Sequence, residues 1–312
     1  MDTPVEVQQK SLKQKFYSFC YNTYDKQYKK LLIIPMLLLL LAIIQIGVQM
    51  GTTGDFVHKG VSLKGGSIIT ILKQADQTEL QTHLQGKFPG EDITVRSITE
   101  SGAVVGVSIE SGAQSPEQIA AITTAIKDRI PLKEHEFTTE VTGSAIGNSF
   151  FRQTFIAMIA AFILMGIVVF IYFRTAVPSS AVIIAAFSDI VITVAAFNLT
   201  GISLDTAGVA AFLMLIGYSV DTDILLTSRV LKHHEGTVLD RVIGAIKTGM
   251  TMTLTTLVAV VAALILTNNA AVKQIMVILL IGLIADIINT WIQNAAILRY
   301  YMERKHVTQT NS

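Results

Sequence analysis

The chain has 312 residues, 51% of them hydrophobic and only 15% charged, against about 25% charged in soluble domains. That leaves too little polar surface for a dissolved globule of this size, and a net charge of +1 gives no sign of a nucleic-acid partner. A single cysteine, Cys20, excludes an internal disulfide framework and any cysteine-based zinc site.

The first 30 residues hold Lys10, Lys13, Lys15, Lys26, Lys29 and Lys30, with Phe16, Tyr17, Phe19, Tyr21, Tyr24 and Tyr28 among them. Over Lys15–Lys30 this mixture predicts a helix lying in the membrane interface. Leu31–Met50, broken only by Gln45 and Gln49, is long enough to cross a hydrocarbon core of about 30 Å. A cleaved leader would have a 30-residue basic region before its apolar core, and no small-x-small site stands out after it, so the segment is expected to stay as a span.

Residues 51–150 have ordinary soluble composition. Val61–Ile71 is β-branched around Gly65-Gly66, a pair without dinucleotide or phosphate-loop spacing that suits a turn or bulge where the strand begins. Asp76–Lys87 reads as a helix ended by Phe88-Pro89-Gly90, and Ile93–Ile98 and Val104–Ile109 as strands. Ser115-Pro116-Glu117 opens a helix that buries Ile119, Ile122 and Ile126 and stops at Pro131, and Glu136–Val141 is a last strand. The order β-α-β-β-α-β is the ferredoxin-like pattern.

Five further apolar runs follow: Phe155–Phe173, Val177–Leu199, Thr206–Thr227, Met250–Leu266 and Val272–Leu298. Thr237-Val238-Leu239-Asp240 resembles a capping box, opening a helix with Leu239, Val242, Ile243 and Ile246 on one side. That helix is expected to lie along the membrane surface before the fifth span. The expected architecture is a polytopic α-helical membrane protein with six transmembrane helices. One extracytoplasmic α+β domain (51–150) follows the first helix (31–50). A five-helix bundle (151–300) then carries an amphipathic cytoplasmic loop (229–248), and residues 1–30 and 301–312 are cytoplasmic segments. The orientation rests on basic residues in short loops. Arg174, Arg229, Lys232, Arg241, Lys247, Arg299, Arg304 and Lys305 fall on the same side as the N-terminal lysines, while the opposite short loops hold only Lys273.

Acidic residues inside spans are functional candidates by default. Asp189 lies near the middle of the third span, Asp221 and Asp223 toward the cytoplasmic half of the fourth, and Asp286 near the middle of the sixth. Asp205 reads as a solvated helix cap at the outer interface. At 100° per residue, Asp221 and Asp223 stand about 200° apart and cannot face the same neighbour. Asp221 shares its side with Gly217, Met214 and Ala210, whereas Asp223 lies with Ser219, Ile216 and Phe212, so one points into the bundle and the other elsewhere, toward a partner subunit. Gly282, Asp286, Asn289, Thr290 and Gln293 form one stripe of the sixth span, and Thr248, Thr251 and Thr255 a similar stripe on the fifth. Such residues are polar support between helices. Four aspartates exceed what that role needs, since asparagine bonds equally well without a charge, and they are read as proton-pathway residues. His233-His234 is a solvated pair rather than a metal site. No metal, cofactor or nucleophilic triad is indicated, and the chain is not read as an enzyme.

Three motifs carry a family resemblance. Gly60-Val61-Ser62-Leu63-Lys64-Gly65-Gly66 stands where the family has G-I-D-F-x-G-G after the first span, Ser188-Asp189 matches an H-D pair, and Gly217-Tyr218-Ser219-Val220 opens a segment running in register to Arg229. The T-x-T-x-T-T start of the fifth span (Thr251, Thr253, Thr255, Thr256) agrees as well. The chain resembles the SecD/SecF protein-export family, related to resistance-nodulation-division (RND) pumps, and is most similar to its archaeal SecF branch. The resemblance implies an auxiliary subunit in the cell membrane that pairs with SecD beside the SecYEG-type translocon. There it helps translocating preproteins across, among membrane lipid, using the proton gradient. Departures are specific. The bacterial membrane aspartate falls at Thr222, the first-motif aspartate at Ser62, and the bacterial arginine near Thr248, with only Lys247 beside it.

Other readings are an RND-type small-molecule exporter subunit, a non-coupled scaffold of the translocon, and an intramembrane aspartyl protease. The exporter class carries twice as many spans per chain, and the protease motifs Y-D and G-x-G-D do not occur.

Overall fold

The computed structural model describes residues 27–100, 103–132, 136–232, 236–267 and 269–310. Cys20, most of the aromatic–lysine segment, and His233-His234 lie outside them. The first span, Gln27–Thr53, contains α1 (Ile33–Thr53). A single turn α2 (Val61–Lys64), strand β1 (Gly66–Ile71), α3 (Gln77–Lys87), β2 (Thr94–Glu100), β3 (Ala103–Ser111), α4 (Pro116–Lys127) and β4 (Phe137–Thr142) make up the α+β domain. The remaining spans are α5 (Ser144–Phe173), α6 (Ala176–Leu199), α7 (Thr206–Lys232), α8 (Val238–Leu266) and α9 (Ala270–Ile288). The last continues through a π-helical segment, Asn289–Asn294, into α10 (Ala295–Thr310). Six apolar helices of membrane-crossing length make this a multi-pass membrane protein.

The four strands form one antiparallel sheet in the order β2-β3-β1-β4. Alternation sets its inner face: Ile69 pairs with Ile109, Ile71 with Val107 and Val95 with Ile109, and all are buried. Leu80 and Leu84 of α3 and Ile122, Ala125 and Ile126 of α4 cover that same face, so the domain has a core of its own. Side-chain caps start both helices. Asp76 accepts from the backbone N–H of Thr78 and Glu79, and Ser115 and Gln118 form a reciprocal capping box. Each such cap contributes about 1 kcal/mol.

β1 starts five residues later than the β-branched run suggests. Val61 and Leu63 are buried instead from a helical turn, Leu63 among bundle side chains. Gly65 (φ 87°) and Gly66 (φ 140°) then turn the chain into the sheet. A Cβ on Gly65 would lie 2.4 Å from the Ser144 Cα, and one on Gly66 2.2 Å from the Ser111 carbonyl oxygen. Only glycine allows β1, β3 and the start of α5 to meet there.

In the bundle, α6 and α7 are each 56% buried along their spans, against 6% for α5 and 11% for the first span. The peripheral helices turn Leu37, Leu40, Ile163, Leu164 and Val168 outward, as lipid-facing surfaces do. Two glycines let large side chains reach across helix pairs. A Cβ on Gly249 would fall 2.2 Å from the Trp291 ring, and one on Gly282 would fall 2.4 Å from Leu215. The segment 237–248 is not a separate surface helix. The Thr237–Asp240 capping box opens α8 itself, which runs unbroken to Leu266. Its apolar side (Val242, Ala245) packs on Leu226, Val230 and Trp291, and Arg229 donates to the Gly244 carbonyl at 2.9 Å.

The α+β domain is clasped to the α6–α7 loop. Gly60 N–H donates to Leu204 O at 2.8 Å and Leu204 N–H to His58 O at 2.6 Å. Ser62 donates to Asp205 at 2.8 Å, so Asp205 is half-buried against the domain rather than a solvated cap. Arg96 reaches both the Ser203 hydroxyl (2.9 Å) and Glu110 (3.1 Å), whose side chain is only 12% exposed. Burial pushes the Glu110 carboxyl above its usual range, and Arg96 offsets this only in part. An acid that holds its proton more tightly folded than unfolded stabilises the fold below the ordinary carboxylate range and loses that contribution as pH rises through the folded value. Glu110→Gln should therefore raise the thermal midpoint of the detergent-purified protein at pH 7, and raise it less at pH 4, as read by circular dichroism. An equal shift at both pH values would contradict this.

Candidate functional site

Three of the four candidate acids converge in the bundle interior. Asp189 of α6, Asp223 of α7 and Asp286 of α9 are 0–1% exposed. Among the described residues, the only buried basic side chain is Arg299 in α10, and it bonds Glu303. Neutral donors from neighbouring helices therefore serve the carboxylates. Asp189 accepts from the Ser219 hydroxyl at 2.5 Å and from the Asn289 amide at 2.7 Å. Asp223 accepts from the Asn294 amide at 2.7 Å. The Thr222 hydroxyl stands 3.1 Å from Asp286 and also within 2.8 Å of the Ser219 carbonyl.

Thr290 is the pivot. Its hydroxyl lies 3.0 Å from Asp223 Oδ1 and 2.9 Å from Asp286 Oδ1, yet it has one hydrogen to give. With both carboxylates ionised, one of these contacts is an oxygen facing an oxygen without a proton. With one carboxyl protonated, Thr290 accepts from it and donates to the other. This hydroxyl can thus pass a proton between the two acids.

The π-helical segment makes the meeting possible. Its i→i+5 turn brings Asn289 and Asn294 onto one face, with Thr290 and Gln293 between them, and all four are buried. Gln293 donates to the Ser188 hydroxyl at 3.4 Å. On an ordinary helix Asn294 departs from the Asp286 stripe, so the sequence stripe holds Asn289, Thr290 and Gln293 but misses Asn294. Thr222, the position of the absent bacterial aspartate, is also a site residue through its bond to Asp286.

Other sequence candidates lie elsewhere. Asp221, Gly217 and Tyr218 are exposed on the far side of α7, with Met214 and Ala210, while Ser219 turns inward. Thr248, Thr251 and Thr255 bond carbonyls of their own helix (Gly244, Lys247 and Met252) and stay outside the cluster. The Gly249–Trp291 contact sets the rotation of α8, turning Gly249 and Thr253 inward and Thr251 and Thr255 out. Gly60, Gly65 and Gly66 serve the clasp and the turn into β1, and Arg229 ties α7 to α8. None of them touches the carboxylates.

A bundle of six apolar helices with buried carboxylates and one α+β domain outside it is the build of a multi-pass membrane protein with a polar interior cluster. Residues 121–304 match the family described as "Protein export membrane protein SecD/SecF, C-terminal". The chain is 39% identical over 279 residues to the "Protein-export membrane protein SecF" of Pyrococcus furiosus, covering 89% of this chain and 92% of that one. It is 36% identical over 285 residues to the protein of the same name from Methanothermobacter thermautotrophicus, covering 89% and 94%. In fold it is similar to the crystal structure of SecDF, a translocon-associated membrane protein from Thermus thermophilus. The TM-score is 0.70 at 17% identity, over 89% of this chain and 38% of that one. The chain belongs to the SecD/SecF protein-export family.

Asn289→Leu removes one of the two side-chain donors to Asp189, and should lower the thermal midpoint in detergent by an amount equivalent to about 1 kcal/mol. Thr251→Val, on the exposed face of α8, should leave it unchanged. Equal effects would contradict this division of the polar residues.

Proposed function

We propose that this chain is the SecF-type auxiliary subunit of the Sec export machinery. It pairs with a SecD-type partner beside the SecYEG-type channel and promotes preprotein translocation on the outer side of the membrane. It acts as a transport subunit rather than as an enzyme. The membership of the family, the 39% identity to a protein-export SecF and the fold shared with SecDF support that role. That the chain spans 38% of the SecDF structure supports a partner that completes the assembly.

The basic residues of the short loops support cytoplasmic termini and an extracytoplasmic domain between the first two spans. For that domain, the all-antiparallel order β2-β3-β1-β4 with two helices on one face supports a ferredoxin-like topology. Export is coupled to the proton gradient through Asp189, Asp223 and Asp286. The observation that carries this is the Thr290 hydroxyl between two buried carboxylates with no buried basic group beside them among the described residues. Protonation from outside removes a charge that the low-dielectric interior disfavours, and release on the inner side restores it. Each exchange requires Thr290 to turn its hydroxyl from one acid to the other. The helices that carry those acids shift with it.

Two experiments test this reading. In cells lacking the native gene, Asp189→Asn and Asp223→Asn should co-purify with the SecD partner yet reduce export of a reporter preprotein at least about tenfold. Asp221→Asn, outside the cluster, should export normally. Full export by both inner variants would sink the coupling. For orientation, a cysteine at Thr82 should react with an impermeant thiol reagent added outside, and one at Thr237 only after the membrane is opened. The reverse pattern would invert the topology.

A further inference from the structure

The sheet of the α+β domain is joined to the membrane part through glycines. Gly65-Gly66 links β1 to the turn α2, whose Leu63 is buried among bundle side chains, and Gly143 links β4 to α5. The Gly60–Leu204 and Ser62–Asp205 bonds belong to the anchored turn, so they hold wherever the sheet swings. Of the contacts that cross from the sheet side, Lys64–Asp92 is a solvent-exposed ion pair and holds weakly. Arg96 of β2 reaches further, to the Ser203 hydroxyl of the α6–α7 loop.

Beside this contact lies a polar cavity of about 180 Å³, space for roughly six waters, between the sheet and the loop. Glu110 of β3 lines it opposite Gly201 and Ser203. Burial is the largest influence on this carboxyl and pushes it up; Arg96 and Lys64 pull it down, and Asp205 of the loop and Asp92 before β2 push it up again. Lys59, paired with Asp55, and His58 line the same cavity from the segment before α2. Across the sheet Glu110 pairs with uncharged Thr94 and Ile68. An ionised Glu110 therefore regains its hydration only by leaving the cavity walls.

We infer that the junction of Arg96, Glu110 and Ser203 is a pH-controlled latch between the α+β domain and the bundle. Protonation of Glu110 keeps the sheet seated on the α6–α7 loop. Loss of that proton lets the sheet swing about Gly65-Gly66 and Gly143, carrying Glu110 into water. The sign follows from linkage: an acid that holds its proton more tightly in the closed junction favours closure at low pH and stops doing so as pH rises through its closed-state value. One proton is exchanged, so the ratio of open to closed rises at most about tenfold per pH unit. That the latch reads the outer pH rests on the extracytoplasmic placement proposed above; its response to protons does not.

The test uses the full chain in detergent, with Cys20 replaced by serine and spin-labelled cysteines at Thr82 on α3 and Ile265 near the end of α8, both exposed. Pulsed electron paramagnetic resonance gives their distance distribution from pH 4 to pH 8.5. One population is expected at pH 4, with a second growing in toward pH 8.5. Glu110→Gln and Glu110→Met cannot ionise there, and both should keep the pH 4 distribution throughout. Glu140→Gln, on exposed β4, should behave as the parent. A parent distribution that ignores pH overturns the latch. A shift that survives in both Glu110 variants also overturns it, because another group is then the sensor. Variants that stand open at pH 4 overturn it too, since the carboxylate would then be a tie rather than a wedge. Inverted topology in the cysteine labelling, or normal export by the aspartate variants, leaves this result standing and changes only the compartment that is read or the use made of it.

Discussion

Three carboxylates held in the middle of a membrane bundle, with no buried basic side chain beside them among the described residues, set the terms for the rest of this structure. Each must find its donors on a different helix, and each pairing fixes one helix against another. Asp189 fixes α6 against α7 through Ser219 and against the π-helical segment through Asn289. Asp223 fixes α7 against the same segment through Asn294, and Asp286 is held by Thr222 of α7. A register slip of one residue in any of the three would leave a charged oxygen unserved, which is far costlier in this medium than a lost apolar contact. The apolar surfaces of α6 and α7 bring the helices together. The acids determine where along their length they stop.

Two of the departures from the family's motif pattern share a physical logic. Where the resemblance expects an aspartate, the chain has Ser62 and Thr222, and each hydroxyl bonds an aspartate contributed by a facing element, Asp205 and Asp286 respectively. In each contact the carboxylate comes from the facing element. The two positions without an acid are thus hydroxyl donors to acids that stand elsewhere in the sequence.

Much of this was legible beforehand. The spans and the capped helices announce themselves by hydropathy and by Ser115 and Thr237. The 200° between Asp221 and Asp223 separates an inward acid from an outward one without any structure. Other features have no local signature. The apolar side of residues 238–248 has the same period whether it lies on lipid or on Leu226 and Val230, so a hairpin arm reads as a surface helix. The threonines of α8 look alike, and only the Gly249–Trp291 contact decides that Thr253 faces in while Thr251 and Thr255 face out. Asn294 joins the cluster because of one widened turn, and helical periodicity read at 100° per residue has no place for that turn.

The same indole has a mechanical meaning. With its ring seated where Gly249 has no side chain, Trp291 works as a key in a slot, and Leu215 against Gly282 is a second key one helix away. Sliding or rotating α8 past α9 would require drawing the indole out through backbone that cannot part for it. α7, α8 and α9 therefore travel as one block. The two spans that flank the α+β domain, α1 and α5, bury little of their length. The α+β domain, clasped to the α6–α7 loop through Gly60, Ser62 and Arg96, therefore pulls directly on the block that carries the acids, with the two struts free to follow.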